Sequence, residues 1–355
     1  MGIMDQDGWI AGQRAAFRGA VARFDRTAPV VILTHNDADG LAAAALLARA
    51  SLRTYLATRV RILGRGESAW SEALGDELRK QAIGGLIVTD LGVHPGPIRP
   101  GTPTVVIDHH VPFGAPRGAT VISGHGQTPT PTSSLLAFWC ARALADIDDL
   151  LWIAALGIIG DLGDRAAFAE LAAARSRHGA TVLREATSLI NAPRRTAVGD
   201  AQPALDLLMR ATGPEDITSG QQPETALLVR ARAEVKAAFA DGKRAAPKFS
   251  GPVALIRVHS PCQIHPLLAQ RWRMQLKKHI VIAANTGYRP GWVHFSVRSA
   301  TGANLIDFLR ENAPPSADES YGGGHEQASG GALPVETWNA FVEGLGFGPE
   351  ARVGQ

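Results

Sequence analysis

The sequence predicts a two-domain α/β protein, with a parallel sheet in a larger N-terminal domain and a smaller α/β domain at the C-terminal end. Three observations predict this fold. The chain has 355 residues, which exceeds the length at which one hydrophobic core usually keeps growing. Short β-branched runs alternate with Ala- and Leu-rich helical patterns over about the first two hundred residues, as in βαβ units. Strand patterns then start again after residue 250.

The strand patterns of the first domain are continuous apolar runs, which indicate strands buried on both faces of a sheet. They are VVILT at 30–34, RVRIL at 59–63, GLIVTD at 85–90 and TVVID at 104–108. Helical patterns lie at about 40–51, 67–81, 132–145, 149–159 and 166–190. This alternation predicts a parallel sheet with helices on both of its faces.

An alanine-rich helical pattern over 222–248 separates the two domains. Its helix ends at Asp241 and Gly242, and a basic, proline-containing stretch follows. We therefore expect a first domain over 1–225, a linker over 226–250 and a second domain over 251–355. The strand patterns of the second domain are VALIRV at 253–258, HIVIAAN at 279–285 and WVHFSV at 292–297, with a helical pattern near 303–311.

Composition favours an ordinary globular protein, since 45% of residues are hydrophobic and 19% are charged. Lys and Arg number 36 against 33 Asp and Glu, an excess too small for a binder of long duplexes. Cys140 and Cys262 are far apart and form no CxxC motif, so we expect buried thiols in a reducing compartment. The longest apolar tract, 41–48, is too short to span a membrane, and the N-terminal MGIMDQDGW does not resemble a signal peptide. We expect a cytoplasmic protein.

Acidic residues and histidines follow three of the predicted strands at the point where each strand ends. In an open α/β sheet the carboxyl ends of the strands line the binding crevice, so these side chains are expected to meet there. Asp161, which closes the apolar segment LWIAALGIIGD, could reach the same place. The residues at the strand ends are His35, Asp37 and Asp39 after the first strand, Asp90 after the third, and Asp108, His109 and His110 after the fourth.

So many carboxylates in one crevice repel each other unless a cation compensates, and neither Lys nor Arg is interleaved with them. The economical interpretation is a pair of divalent metal ions that share ligands, as in enzymes that displace groups at phosphorus. Mixed imidazole and carboxylate ligation favours Mn²⁺ over Mg²⁺, with Mg²⁺, Co²⁺, iron and zinc as alternatives. Helix or turn capping by each acid explains one or two of these positions but not the whole set.

Other binding motifs do not fit. An EF-hand loop would need an acid where His35 stands and a Glu where Leu46 stands. The Gly-Lys pair at 242–243 continues into Arg244, so it is no P-loop. GGGH at 322–325 does not satisfy the dinucleotide-binding fingerprint either.

The motifs HNDADG, TDLG, DHH and GIIGD, in this order, resemble those of the DHH phosphoesterases. The compact HxDxDG form is similar to the RecJ-type and archaeal exonuclease branch, whereas the nanoRNase and cyclic-dinucleotide branch typically has one more residue there. The segments 295–309 and 320–331 resemble the associated substrate-binding domain, and INAPRR at 190–195 is similar to an Asn-Ala-Arg segment of the RecJ branch. The resemblance implies an active site in the cleft between the two domains.

The resemblance also implies residue roles. His35 and Asp37 would bind one ion, while Asp39, His109 and Asp161 would bind the other. Asp90 would bridge the two ions. Asp108 and His110 would be catalytic groups that face the phosphate or hold His109 in its ligating orientation. The residues implied to bind the phosphate and terminal nucleotide of the substrate are Arg298, Ser299, Gly323, Gly324 and His325; consecutive glycines and an arginine suit an anion.

We therefore expect hydrolysis of short single-stranded DNA or RNA to mononucleotides by a RecJ-like exonuclease or oligonucleotidase. The alternatives are a small-nucleotide phosphoesterase, acting on 3′-phosphoadenosine 5′-phosphate or a cyclic dinucleotide, and an inactive nucleic-acid-binding subunit. The inactive form is disfavoured because all six candidate ligands are present. We expect the chain to lack the extra oligonucleotide-binding domain of longer RecJ enzymes, so processive action on long strands is not expected. Candidates for base stacking, with core packing as the alternative, are Trp272, Tyr288, Trp292 and Phe295.

Overall fold

The computed structural model describes residues 6–317 and 321–354. The chain divides into two compact units, which confirms the predicted two-domain α/β fold. The first unit contains the residues up to Arg194 together with Gly199–Arg230, and the second contains Arg195–Val198 together with the residues from Ala231 onward. The domain bounds 1–225, 226–250 and 251–355 remain predictions. Residues 226–250 include most of a helix, Pro223–Gly242, and a short strand, Lys248–Ser250.

A five-stranded parallel sheet forms the centre of the first unit. Its strands are β1 (Val30–Thr34), β2 (Thr58–Ile62), β3 (Gly85–Thr89), β4 (Thr104–Asp108) and β5 (Thr120–Ser123). Four of them lie within a residue of the predicted strands, and β5 was not predicted. The strand order is β2-β1-β3-β4-β5, so the chain direction across the sheet reverses between β1 and β3. Ligands of such sheets bind beyond the carboxyl ends of the strands at this switch point.

The central strands β1, β3 and β4 are buried on both faces, which explains why they are continuous apolar runs, whereas the edge strands β2 and β5 are only partly buried. Alternate residues of β1 point to opposite faces, so Val30 and Ile32 join one hydrophobic core while Val31 and Leu33 join another. The first core is the larger. It includes the apolar run of residues 41–48 and both Trp139 and Trp152, which were predicted to be core residues.

Among the described residues, ten α-helices begin in the first unit. They are α1 (Gln6–Val21), α2 (Ala38–Arg53), α3 (Glu72–Arg79), α4 (Ser133–Ala141), α5 (Leu151–Leu162), α6 (Ala169–His178), α7 (Ala180–Asn191), α8 (Gln202–Arg210), α9 (Pro214–Thr218) and α10 (Pro223–Gly242). The single helix predicted over 166–190 is wrong, because α6 and α7 are separated by Gly179. This glycine has a φ of 81°, a left-handed conformation that ends α6.

The second unit is built on a mixed six-stranded sheet. Its strands are β6 (Lys248–Ser250), β7 (Val253–Val258), β8 (Ile280–Arg289), β9 (Trp292–Ser299), β10 (Tyr321–His325) and β11 (Ala328–Pro334), in the order β10-β11-β9-β8-β7-β6. The β7–β8 pair is parallel and the other pairs are antiparallel. Its helices are α11 (His265–Gln275), α12 (Leu305–Glu311) and α13 (Val335–Gly344).

Helices cover both faces of the second sheet. Residues of α12 and α13 pack against one face, where Phe295 contacts Trp338 and Phe341, so Phe295 is a core residue. Residues of α11 pack against the other face, near the buried Cys262. Cys140 is buried as well, as predicted. Across the described part of the chain, every helix is too short or too polar to cross a lipid bilayer.

Candidate metal centre

The chain turns sharply from β1 into α2 and places three of the candidate ligands there. Asp37 caps α2 by accepting a hydrogen bond from the Gly40 amide at 3.0 Å. Gly40 packs so closely that a Cβ at this position would lie 2.6 Å from the carbonyl oxygen of His35. The glycine of the HNDADG motif therefore allows the turn that brings His35, Asp37 and Asp39 to the carboxyl end of β1.

Asp90 follows β3 with a backbone φ of 61°, in the left-handed region that Asp and Asn tolerate better than most residues. Its side chain is almost fully buried, and its Oδ1 accepts a hydrogen bond of 3.0 Å from the Ser133 hydroxyl. Strained backbone of this kind persists where the surroundings hold a side chain in place, and it is concentrated at functional sites.

Asp90 belongs to three groups of potential ligands, and two of these groups contain only predicted metal ligands. His35 Nδ1 lies 3.1 Å from Asp37 Oδ2 and 3.5 Å from Asp90 Oδ2. His109 Nε2 lies 3.5 Å from the other oxygen of Asp90, Oδ1, and 3.9 Å from Asp39 Oδ2. Within each group the ligand atoms lie within 4.8 Å of one another. One carboxylate therefore turns a different oxygen toward each group.

Asp161, near the end of α5, approaches the second group. Its Oδ2 lies 3.9 Å from His109 Nε2, and its side chain is 28% exposed, unlike the buried Asp39 and Asp90. The structure thus brings all six predicted ligands to one edge of the first sheet. Their metal-binding roles remain predictions.

The amino-terminal end of α4 holds Asp39. The backbone amides of Ser133 and Ser134 donate to its two carboxylate oxygens at 2.8 and 3.0 Å, where the helix dipole also favours a negative charge. Gly157 of α5 lies against the same carboxylate, since a Cβ there would be 2.7 Å from Asp39 Oδ1 and 2.1 Å from Ser134 Oγ. The sequence analysis missed these residues, although Thr132-Ser133-Ser134 before an apolar run is a recognisable helix start.

Asp108 organises the loops after β3 and β4. Its buried carboxylate accepts hydrogen bonds from the Gly92 amide at 2.8 Å, the His110 amide at 2.8 Å and His110 Nδ1 at 3.0 Å. The rings of His109 and His110 lie 4.5 Å apart between centroids. Asp90, Asp108 and His110 also form a third group of close potential ligands. Because three donors already occupy its oxygens, Asp108 is better suited to position His110 and its neighbour His109 than to bind an ion directly.

The segment around residue 191, to which the sequence analysis gave no role, supports the turn before α2. Asn191 Oδ1 accepts a hydrogen bond of 2.9 Å from the Ala38 amide at the start of that helix. Arg194 Nη1 lies 3.6 Å from Asp37 Oδ2. This segment therefore holds the backbone at the start of α2 and places a positive charge beside the Asp37 carboxylate.

The predicted substrate-binding residues lie in the second unit, on β9 and β10. Both Arg298 and His325 are in register with Ala328 of β11, the strand between them. Residues opposite one another in antiparallel strands point to the same face, so Arg298 and His325 share a face, about two strand spacings or 10 Å apart. Ser299 follows Arg298 and points to the other face, where its hydroxyl donates to the His279 carbonyl at 3.2 Å. Ser296 is the serine that shares the face of Arg298.

The register row next to Arg298, Ala328 and His325 consists of small residues. Gly330 is in register with both Ser296 and Gly323, and a Cβ on Gly330 would lie 2.4 Å from the Phe295 carbonyl oxygen. Gly324 has a φ of 120°. Gly323 and Gly330 are half-buried and Ser296 is buried, and the substrate-binding roles of the predicted residues remain predictions.

Comparison with solved structures identifies the architecture. The RecJ structure with Mn²⁺ from Thermus thermophilus matches with a TM-score of 0.71 and 18% identity over 94% of this chain. The match covers 54% of that protein, so the chain spans about half the length of this RecJ. The chain has the RecJ fold.

Two further structures share this fold. Another RecJ exonuclease bound to manganese matches with a TM-score of 0.68 and 20% identity, over 94% of this chain and 93% of that one. A DHH-domain member of the s1p family of ribosomal proteins matches with a TM-score of 0.63 and 15% identity, over 94% and 88%. No protein-family model matches the sequence, and no curated protein does. The RecJ fold is therefore evident from structure at a very low sequence identity.

The carboxylates of the candidate site raise the pKa values of the two histidines among the predicted ligands, His35 and His109. Burial alone lowers the pKa of His35, but the nearby Asp37 and Asp90 carboxylates outweigh it and raise the pKa to about 10. Burial likewise lowers the pKa of His109, and Asp90, with Asp39 close by, raises it to about 10. Burial raises the pKa of Asp37, yet His35 and Arg194 hold it well below its usual value.

Nearby positive charges lower the pKa of Asp37, but they do not offset the effect of burial on Asp39 and Asp161. Burial, together with the neighbouring Asp90, raises the pKa of Asp39 to about 7. Burial is also the largest cause of the raised pKa of Asp161. A buried carboxylate that resists ionisation is stabilised by a cation. Imidazole nitrogens and carboxylate oxygens converge from two sides of Asp90, and this donor set fits divalent metal ions.

Proposed function

We propose that the chain is a metal-dependent phosphodiesterase that hydrolyses short single-stranded nucleic acid and releases mononucleotides. The observation that carries this proposal is the position of Asp90, which directs Oδ2 to His35 and Oδ1 to His109. Two-metal enzymes hold their ions about 3.5 to 4 Å apart to act on both sides of a phosphoryl group. A carboxylate shared between two ligand groups suits that spacing.

In this proposal His35 and Asp37 bind one ion, and Asp39, His109 and Asp161 bind the other, with Asp90 between them. Divalent ions held by these residues would lower the pKa of a water that serves as the nucleophile and would stabilise negative charge on the phosphoryl oxygens. Two of the similar solved structures are RecJ proteins bound to manganese, which supports Mn²⁺ as the ion.

In this proposal, Asp108 and His110 contribute to the reaction by holding the neighbouring His109 in position. Burial raises the pKa of Asp108, but His110 outweighs it and holds the pKa at about 2, so the carboxylate is charged at neutral pH. Asp108 in turn raises the pKa of His110 despite the opposing effect of burial. The pair lies in the loop after β4 next to His109, whose Nε2 is 3.5 Å from Asp90 Oδ1, and so supports the orientation of that imidazole.

The strand row in the second unit binds the substrate in this proposal. Arg298 offers a guanidinium to a phosphate, and His325 lies on the same face. Gly323 and Gly324 allow the backbone to approach the phosphate. Ser299, which was also predicted to take part, lies on the opposite face of β9 from Arg298, and its role remains a prediction.

The test is hydrolysis of labelled single-stranded DNA and RNA from about 2 to 30 nucleotides, a range around the site sizes of single-strand binders. We expect Mn²⁺-dependent release of mononucleotides, blocked by chelator and by Asp90→Asn, which preserves the left-handed backbone. Asp76→Asn is the matched control, because Asp76 is an exposed residue that pairs with Arg79. Cyclic dinucleotides and 3′-phosphoadenosine 5′-phosphate are assayed in parallel.

Three outcomes separate the candidate functions. Turnover confined to the small nucleotides would replace the proposal with the small-nucleotide alternative. Hydrolysis that survives chelator would contradict the metal-dependent mechanism. Equal activity of Asp90→Asn and the unmodified protein would rule out Asp90 as the shared ligand.

A further inference from the structure

Three aromatic rings form a stack beside the loops that carry the candidate ligands. The centroids of Trp70 and His94 lie 5.2 Å apart with an interplanar angle of 34°, and those of His94 and Phe113 lie 5.0 Å apart at 29°. Trp70 is anchored by a hydrogen bond of 3.0 Å from its Nε1 to the Leu91 carbonyl. The stack begins at a half-buried indole and ends at a phenyl ring on the surface.

Phe113 is 64% exposed, although one of its faces is covered by His94. The other face must therefore be open to solvent. A ring that served only to pack the loop would be expected to bury most of its surface, since burial is the source of its stabilising effect. An exposed aromatic face next to polar ligand loops is instead typical of a surface that binds another planar group.

The stack is tied to the metal centre by the backbone. His94 lies four residues after Asp90, and Phe113 lies three residues after His110, so the Cα atoms of Phe113 and His110 are at most about 11 Å apart. The Phe113 amide donates to the Val93 carbonyl at 2.9 Å, which joins the two loops. Asp108 holds the same two loops through the Gly92 and His110 amides.

We propose that the open face of Phe113, supported by His94 and Trp70, stacks on a nucleobase of the nucleic acid whose phosphate lies at the metal centre. This inference rests on the proposed function. A nucleobase is the occupant that fits best, because a base and a phosphate belong to the same nucleotide and the ring is fixed within reach of the phosphate site. Every base has a π-face, so such stacking tolerates any sequence.

The first experiment measures binding without turnover. The probe is a fluorescein-labelled phosphorothioate thymidine hexanucleotide, whose linkages resist hydrolysis, titrated in Mn²⁺ and followed by anisotropy. We expect Phe113→Ala to weaken binding between about 5- and 150-fold, the loss that removal of one base–aromatic stack gives. Phe113→Trp should bind as well as the unmodified protein or better.

Phe249→Ala is the matched control. Phe249 is also exposed, at 53%, and also lies against a histidine, with 5.1 Å between its ring centroid and that of His279. It belongs to β6, the edge strand farthest in sheet order from β10. We expect this variant to bind the probe with unchanged affinity. Equal losses for Phe113→Ala and Phe249→Ala would overturn the inference.

The second experiment repeats the titration with a hexamer that is abasic at every position. Phe113→Ala should bind this probe within about twofold of the unmodified protein, because no base is left to stack. The same loss on both probes, or no loss on the thymidine probe, would overturn the inference, as would a failure of the unmodified protein to bind the thymidine probe. Base-dependent binding without Mn²⁺-dependent hydrolysis of ordinary phosphodiester strands would overturn the proposed hydrolysis and leave the stacking inference standing.

Discussion

Replacing Gly157 by alanine tests whether α4 and α5 hold Asp39 in place. In an exposed helix the change from glycine to alanine stabilises by about 1 kcal/mol. At residue 157 the new Cβ would lie 2.1 Å from Ser134 Oγ and 2.7 Å from Asp39 Oδ1. Overpacking of this kind costs about 1 to 3 kcal/mol. Each lost hydrogen bond to a charged group costs a further 1.5 to 3 kcal/mol, approximately.

If the carboxylate gives up one of its two amide donors, these values combine to a net loss of about 2 to 5 kcal/mol in the free energy of unfolding. The assay is urea unfolding followed by circular dichroism, with chelator present so that metal binding does not contribute. A parallel Mn²⁺ titration should show weaker binding, because Asp39 is displaced from His109.

Gly12→Ala is the control for this experiment. Gly12 lies on an exposed part of α1 in the same unit, and a Cβ there meets nothing within 4 Å. It should therefore gain the roughly 1 kcal/mol that helix propensity provides. If Gly157→Ala stabilised the protein as Gly12→Ala does, and Mn²⁺ still bound with full affinity, the proposed anchoring of Asp39 would be refuted.

Three further predictions concern the charges and hydrogen bonds of the site. Because the pKa of Asp108 falls from 3.8 to about 2, Asp108→Asn should lower the free energy of unfolding by about 2 kcal/mol at pH 7. That difference should be present above pH 4 and vanish as the pH falls through 2; urea titrations in chelator that show a constant difference would contradict it. His35 and His109, whose pKa values are raised to about 10, must lose protons to bind a metal, so Mn²⁺ affinity should rise between about pH 6 and 9. Calorimetry in two buffers of different ionisation enthalpy measures the released protons, and binding without release would disprove this coupling. Ser133→Ala removes a hydrogen bond to Asp90 and should weaken Mn²⁺ binding about 10- to 100-fold. Ser134→Ala is the control, because it keeps the backbone amide that donates to Asp39, and it should weaken binding less. Similar losses for the two variants would argue against the role of the Ser133 hydroxyl.

The strands that carry the predicted ligands could be predicted because each one follows from the pattern of its own residues. Burial of a central strand on both faces requires a continuous apolar run, so the acidic residues of β1, β3 and β4 appear where these strands end. Thus Thr34 and Thr89 end buried strands, and Asp90 comes directly after the second. The short β5 escaped prediction because prolines and glycines lie on both sides of it and only one of its four residues, Ile122, is buried at this sheet edge.

The hydrogen bonds that hold the predicted ligands could not be predicted in the same way, because their donors and acceptors lie far apart in sequence. The amides that bind Asp39 lie 94 and 95 residues further along the chain, and Asn191 lies 153 residues from the amide it holds. No local pattern encodes such pairings. The left-handed backbone of Asp90 likewise follows from the packing around it.

In the second unit, the sequence alone determines which residues of β9 share a face. Side chains in a strand alternate between faces, so Ser296 and Arg298 had to share a face and Ser299 had to lie on the other one. The strands β10 and β11 were harder to predict, because Gly322–Gly324 and Gly330–Gly331 carry no side chains that could alternate.

The crowding of carboxylates around Asp90 also has a consequence for how the chain folds. Asp90 stores backbone strain and faces like charges, and these costs fall on the folded state alone. An ion that binds only the folded state returns free energy in proportion to the logarithm of its concentration. Metal bound at this site should therefore stabilise the folded chain, so that removal of the metal would lower the free energy of unfolding as well as any activity.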